Sequence, residues 1–418
     1  MQPKSKRPNI VVIGGGFAGL QLLKHLDDDL FNVLLIDKLN HHQFQPLFYQ
    51  VATSQIEPGS ISFPLRKILQ NRKNTQIRMT EVTSIDPVGK NIYSTIGCFH
   101  YDILILANGC STNYFGNEEI KKNTYSLKST YDAIKIRNNI LQNFENILST
   151  RPDEREYLYN LVIIGAGPTG VELAGAFAEI RNHILPKDYP RINFKDLRII
   201  LIEGSANTLN SMSDLAKKAS ERYLKNMGVD ILTNVMVKNY DGKEITLNNG
   251  HTIKSKQVIW TAGVIGNVIE GLNKDSIFRN RYIVNRYSQI KNYPDIYAVG
   301  DIAYMETPKY PQGHPQVANV AINQARNLAK NLKYAIEGKS LNEYEYYDKG
   351  TMATIGKKKA VVDLPFLHFK GFIAWLIWMF LHLMLILSVR NKMIIFINWA
   401  WLFFTRDTSL RLILKEQQ

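Results

Sequence analysis

Cysteine is nearly missing from this 418-residue chain, which has only Cys98 and Cys110. They lack the C-x-x-C spacing of zinc sites and redox dithiols, and one pair makes no disulfide framework. Each is expected to be a small apolar filler, and no metal is expected. Acid is in short supply too: 37 Asp and Glu face 51 Lys and Arg, a formal net charge of +14. An excess of that size attracts a polyanion. No helix-turn-helix, zinc-finger or RNA-binding signature accompanies it, and the basic clusters Arg66-Lys67, Arg72-Lys73 and Lys357-Lys358-Lys359 are scattered. No nucleic-acid partner is therefore expected, which leaves anionic lipid. A cleavable apolar leader and an Arg/Ser-rich transit pattern are absent from the opening "MQPKSKRPN", so the body of the chain is expected on the cytoplasmic side.

What is present is a folded composition, 45% hydrophobic and 21% charged, at a length that implies two or three domains. Residues 10–13 are apolar and β-branched. Gly14, Gly16 and Gly19 follow in G-x-G-x-x-G spacing, and then a helical pattern, "LQLLKHL". Glycine allows the tight turn and the close approach of backbone to a pyrophosphate, while the helix N-terminus offers unpaired N–H groups. The next strand, "NVLLID", ends in Asp37, where a carboxylate can accept ribose hydroxyls. A second copy has Gly165, Gly167 and Gly170, the helix "VELAGAFAEIRNHIL" and the strand "LRIILIE" ending in Glu203. The polar piece "PKDYPRINFKD" reads as an insertion between that helix and strand. An acid at position 203 repels a 2′-phosphate and favours NADH over NADPH. Downstream, "YDILILANG" and "IKNYPDIYAVGDIA", the latter carrying Asp301, are returning strands of the kind a tightly held FAD requires. The fold class is thus α/β, with two Rossmann-like dinucleotide-binding domains: a resident flavin in the first and a visiting nicotinamide in the second.

These motifs, together with "FQPLFYQVAT" (44–53), "LILANGCSTNYFG" (104–116), "WTAGV" (260–264) and "HPQVANVAINQA" (314–325), resemble type II NADH:quinone oxidoreductase, a single-subunit respiratory flavoenzyme, from Val11 to about Phe404. The resemblance implies one non-covalent FAD per chain on Gly14, Gly16, Phe17, Ala18, Gly19, Asp37, Lys38, Val82, Ala107, Gly109, Asp301 and Ala318. It places NADH on Gly165, Gly167, Pro168, Thr169, Gly170, Glu203, Ala262 and Gly263. It implies a quinone near Gln50, Asn319 and Asn323, the two asparagines standing where the family has glutamines. Glu172, read in the first turn of the helix after the second glycine loop, sits in a favourable dipole field and is implied in proton transfer. The expected division is an FAD-binding domain at 1–155 and 286–345, an NADH-binding domain at 156–285 and a membrane-anchoring region at 346–418. The resemblance also implies a homodimer through the C-terminal region. Sulfide:quinone oxidoreductases and disulfide reductases need redox cysteines in positions this chain does not offer. A flavin-based redox sensor is the rival from another class.

The C-terminus bears on location. "GFIAWLIWMFLHLMLILSV" (371–389) is nineteen residues long with only His382 and Ser388 polar, just enough to span hydrocarbon, and "MIIFINWAWLFFT" (393–405) is too short. Arg390, Lys392, Arg406, Arg411 and Lys415 would be carried across by a span, against the positive-inside tendency. Two helices lying in one leaflet, with cations on lipid headgroups, are the expectation, and one true span is the alternative. Lone His382 reads as a satisfied polar group. The enzyme is therefore expected at the cytoplasmic side of the cell inner membrane, drawing on membrane quinone, with no path for proton pumping.

Overall fold

The computed structural model describes residues 7–151, 155–405, 407 and 410–414. The first six residues, Arg406 and Lys415 lie outside that description. Seven helices concern the sites below: α1 (Phe17–His25), α2 (Phe48–Ala52), α3 (Thr130–Ser149), α4 (Pro168–His183), α5 (Ala318–Ile336), α6 (Phe372–Leu385) and α7 (Val389–Thr405). The chain forms two compact units, one of residues 1–43, 63–111 and 264–348, the other of 44–62, 112–263 and 349–418.

The first unit is built on a five-stranded parallel sheet in the order Ile296–Ala298, Ile103–Leu106, Asn9–Ile13, Asn32–Asp37 and Thr75–Met79. Val12 pairs with Leu35 on one side and Ile105 on the other, so the strands run in step and all their carboxyl ends share one edge. The strands read as short β-branched runs because both faces are covered, and Ile10, Val11, Val12, Leu35, Ile36, Leu104 and Ile105 are essentially inaccessible. α1 and α5 pack on one another.

The second unit repeats the plan with Tyr125–Ser126, Gln257–Trp260, Asn160–Ile164, Arg198–Ile202 and Val229–Leu232, again all parallel. To it belongs an antiparallel meander, Thr351–Thr354, Ala360–Asp363 and His368–Gly371, followed by α6 and α7.

The expected boundaries are redrawn. Residues 112–155 join the second unit because Tyr125 and Ser126 hydrogen-bond alongside Ile259 and Trp260, and residues 44–62 join it because α2 packs on α3 and α4. Residues 264–285 join the first, where Glu270 bridges Ser84 and Tyr282 pairs with Ala303. The C-terminal region is part of the second unit, with the meander packed on α4.

The nineteen-residue apolar run is broken. α6 stops at Leu385 with Ile386 extended, and α7 begins at Val389. At about 1.5 Å per residue α6 reaches roughly 21 Å, well short of the hydrocarbon thickness. Among the described residues no helix is long and apolar enough to cross a membrane. Each helix buries a single stripe, Ala374, Trp378 and His382 on α6 and Asn391, Ile395 and Trp399 on α7, at the four-residue spacing of one helical face. The opposite faces expose Ile373, Phe380, Met384, Ile397, Trp401 and Phe404.

Candidate active site

Each unit carries a nucleotide cradle at the carboxyl edge of its sheet. In the first, Gly14 adopts φ +104°, and a Cβ there would lie 2.4 Å from the Ala107 carbonyl oxygen. A Cβ on Gly19 would lie 1.8 Å from the Gly14 oxygen, so only glycine lets α1 start this close to the loop. Gly16 is different: a Cβ there meets nothing within 4 Å. The loop thus has one glycine for the turn, one for packing and one that faces open space, as a pyrophosphate requires. α1 has no side-chain cap, whereas Ser129 caps α3, and a helix start of that kind suits an anion. Asp37 accepts from Gly15 N at 2.5 Å and Leu39 N at 2.7 Å, which fixes its carboxylate beside the loop with lone pairs to spare. Burial holds its pKa above the ordinary carboxylate value, although both N–H groups pull it down.

Around the same edge stand the other residues assigned to FAD. Lys38 is exposed and paired with Glu81 at 2.5 Å, and Val82 opens the strand Val82–Asp86. Ala107 and Gly109, the latter at φ +64°, follow the strand Ile103–Leu106. Asp301 follows Ile296–Ala298, and Ala318 opens α5, whose N-terminus has no side-chain cap. Phe17 and Ala18 form the first turn of α1, with the Phe17 ring edge-on to His42. Sequence reasoning missed His42, whose buried Nδ1 bonds the Gly15 carbonyl at 3.0 Å, and whose pKa burial lowers to about 4. The cysteines are not apolar fillers. Cys98 is exposed on the strand Gly97–His100, and the Cys110 thiol donates to Asp301 Oδ2 at 3.0 Å. The amides assigned to quinone on this unit, Asn319 and Asn323, sit early in α5, and Asn323 donates back to the Asn319 carbonyl at 2.8 Å.

The second cradle repeats the plan of the first. Gly165 has φ +98°, a Cβ on Gly170 would lie 1.8 Å from the Gly165 oxygen, and Gly167 faces open space. Pro168 begins the uncapped α4, a position where its missing N–H costs nothing. Thr169 is exposed beside it. Glu203 accepts from Ala166 N at 2.7 Å and Ser205 N at 2.8 Å, the counterparts of the Gly15 and Leu39 N–H groups that hold Asp37. Ala262 and Gly263 close the edge after the strand Gln257–Trp260, and Thr261 Oγ1 donates to the Gly165 carbonyl at 2.9 Å.

Glu172 lies elsewhere in this unit, and its expected setting needs correcting. α4 begins at Pro168, so Glu172 is past the first turn, which holds no acid. It is buried, 8% exposed, and burial pushes its pKa up to about 8 against the backbone N–H of Thr354, which donates to it at 3.3 Å. The indole N–H of Trp378 also favours the carboxylate, yet it makes no hydrogen bond of ordinary geometry and is left without a partner. These groups wall a cleft of about 800 Å³, open in part to solvent and lined by Tyr49 and Gln50 of α2, Glu172, Glu179 and His183 of α4, Thr354, and aromatic residues of α6 and α7. A continuous chain of hydrogen bonds runs along it: Trp399 Nε1 to Gln50 Oε1 (2.8 Å), Gln50 Nε2 to Tyr49 Oη (2.9 Å), Tyr49 Oη with Thr354 Oγ1 (2.8 Å). Gln50 is therefore the one of the three proposed quinone amides that lines this cleft. Sequence reasoning missed Tyr49, Thr354 and Trp399, whose partners are hundreds of positions away. His382 is satisfied as expected, its Nδ1 bonded to the Trp378 carbonyl at 2.8 Å and its ring stacked on that indole.

Comparison with known proteins identifies the family. The family model for pyridine nucleotide-disulphide oxidoreductases matches residues 8–325, and that for the NDH2 C-terminal domain matches 348–407. Two type II NADH:quinone oxidoreductases of Mycobacterium tuberculosis are each 34% identical, over 99% and 96% of this chain and 91% and 88% of their own. The NDH2 of Plasmodium falciparum, solved in complex with NADH, shares the fold at a TM-score of 0.90 and 21% identity, over 98% of this chain and 100% of that one. The chain belongs to the type II NADH:quinone oxidoreductases, within the pyridine nucleotide-disulphide oxidoreductase family, and is an FAD-dependent enzyme of that kind.

Proposed function

We propose that FAD is held by the Gly14–Gly19 loop with Asp37 and Asp301, that NADH is held by the Gly165–Gly170 loop with Glu203, and that quinone is reduced at the aromatic cleft with Glu172 as its proton donor. FAD, when bound, supplies the two-electron chemistry, taking hydride from NADH and passing two electrons to quinone. The chain supplies position and charge. Both cradles present uncapped helix N-termini to diphosphates, and the acids Asp37 and Glu203 present lone pairs to ribose hydroxyls. At position 203 the acid also disfavours a 2′-phosphate.

One observation carries the assignment of the cleft: a buried carboxyl held protonated near neutrality beside an indole N–H with no partner, in a space walled by aromatic rings. A quinone is flat and apolar with carbonyl oxygens that need donors, and the Glu172 O–H and Trp378 N–H are two such donors. Asn319 and Asn323, on the other unit, offer amides of the same kind as Gln50. The exposed apolar faces of α6 and α7, with Arg390 beside them and Lys358 over the Phe403 ring, suit one leaflet of an anionic membrane, where the quinone resides. That reading puts the enzyme on the cytoplasmic face of the inner membrane, as a homodimer joined through its C-terminal region. Rapid mixing tests the mechanism. NADH should bleach the bound flavin in both wild type and Glu172→Gln, while reoxidation by a short-chain quinone should slow roughly a hundredfold in the variant. Equal reoxidation rates would remove Glu172 from the reaction.

A further inference from the structure

We propose that His183 and Glu179 are the proton entry of the aromatic cleft, collecting protons from solvent and relaying them to Glu172; this rests on the reading of Glu172 as the acid of quinone reduction. All three side chains belong to α4 and line the same cleft. Their positions, 172, 179 and 183, differ by seven and four, which puts them on one helical face. Exposure rises along the row: Glu172 is 8% exposed, the Glu179 side chain 24% and the His183 side chain 40%. His183 Nε2 stands 3.7 Å from Glu179 Oε2, and Glu179 Oε1 accepts from the Lys357 N–H at 3.0 Å. The strand Thr351–Thr354 and the turn after it therefore hold both carboxyls, Glu172 through Thr354 N and Glu179 through Lys357 N. About 10 Å of helix axis separates the two glutamates, too far for direct transfer. The cleft between them has room for several bridging waters. Tyr49 from α2 and Lys357 are the other titratable groups facing this space, while α6 and α7 line it with Trp375, Trp378, Met379, Trp399, Leu402 and Phe403. The pair thus joins a part-exposed imidazole and carboxyl to the aromatic wall that α6 and α7 supply.

The chemistry requires such an entry. Quinone becomes quinol by gaining two electrons and two protons. The hydride of NADH carries both electrons with one proton, so NADH + H⁺ + quinone gives NAD⁺ + quinol, and one proton per turnover comes from solution. In the relay the Glu172 O–H bond breaks as an O–H bond forms on the quinone oxygen. The carboxylate left behind is reprotonated through water from the Glu179–His183 pair, which reloads from solvent. His183 and Glu179 act as relay residues in this scheme, with Glu172 alone donating to the quinone.

The test uses the full-length holoenzyme in detergent with a short-chain quinone, comparing wild type, His183→Ala, Glu179→Gln, the double variant and Glu172→Gln. Flavin content and bleaching by NADH should be unchanged in the entry variants, which shows that they fold. Their flavin reoxidation should slow on the order of tenfold above neutral pH, a fraction of what a general acid contributes. The solvent deuterium isotope effect should increase, and added imidazole should restore the rate of His183→Ala. Wild-type reoxidation by the double variant across the pH range, or a slow His183→Ala enzyme that imidazole leaves slow, overturns the relay while the role of Glu172 stands. Normal reoxidation by Glu172→Gln overturns both.

Discussion

Glu172 shows how far a residue's surroundings can displace its chemistry. Its position near the start of a helix suggests a carboxylate eased by the dipole, but burial is the larger influence and its pKa rises to about 8. Below that pH the group holds the proton that the proposed mechanism has it donate. Quinone-dependent turnover is therefore expected to fall as pH rises through about 8, and a stopped-flow pH profile of Glu172→Gln should lack that limb. Folding follows the same sign: the folded chain keeps a proton that the unfolded chain releases above about 4.5, so this group's favourable contribution is lost as pH climbs from about 4.5 to 8. The thermal midpoint of Glu172→Gln should accordingly decline less between pH 5 and pH 8 than that of wild type. Glu203 offers a second test at this scale. Both its oxygens are engaged by backbone N–H groups that Gln would satisfy only in part, while the charge facing a 2′-phosphate would vanish. Glu203→Gln should raise kcat/KM for NADPH about tenfold, about 1.4 kcal/mol, with a smaller loss for NADH.

Among the elements, the glycine loops were fully legible in the sequence. Positive φ at Gly14 and Gly165, and the contact of Gly19 and Gly170 with the preceding carbonyl, leave no other residue type, so spacing alone located them. The loops also separate two kinds of damage. Gly16→Ala adds a Cβ to open space, so the protein should fold yet bind less FAD, seen as a lower ratio of flavin absorbance to protein. Gly19→Ala drives a Cβ into the Gly14 carbonyl, and soluble yield itself should drop. The cleft was legible only in part. Gln50 and Glu172 stood in recognisable motifs, but the hydrogen bonds from Trp399 through Gln50 and Tyr49 to Thr354 join residues about 350 and 305 positions apart, and local pattern holds no record of such pairings. The apolar tail was legible as a strongly apolar segment, but the extended backbone at Ile386 that divides it was not, because Ile386, Leu387 and Ser388 carry no breaker residue.

For the whole molecule, the membrane attachment proposed for α6 and α7 can be tested apart from the chemistry. Replacing Phe380 and Ile397, both on the exposed faces of α6 and α7 and outside the cleft, with Ser should weaken co-sedimentation with anionic vesicles by roughly tenfold. Turnover with a soluble quinone should remain as it was, and attachment should also weaken as salt is raised.

The bare starts of α1 and α4 carry a last consequence. Two bundles of aligned peptide dipoles end at glycines, which have no side chain to cap them, so part of the native architecture is left for a guest to complete. Such a protein behaves as an open equilibrium: every tenfold excess of FAD over its dissociation constant adds about 1.4 kcal/mol to the folded side, and its melting point is set by how much flavin the surroundings provide.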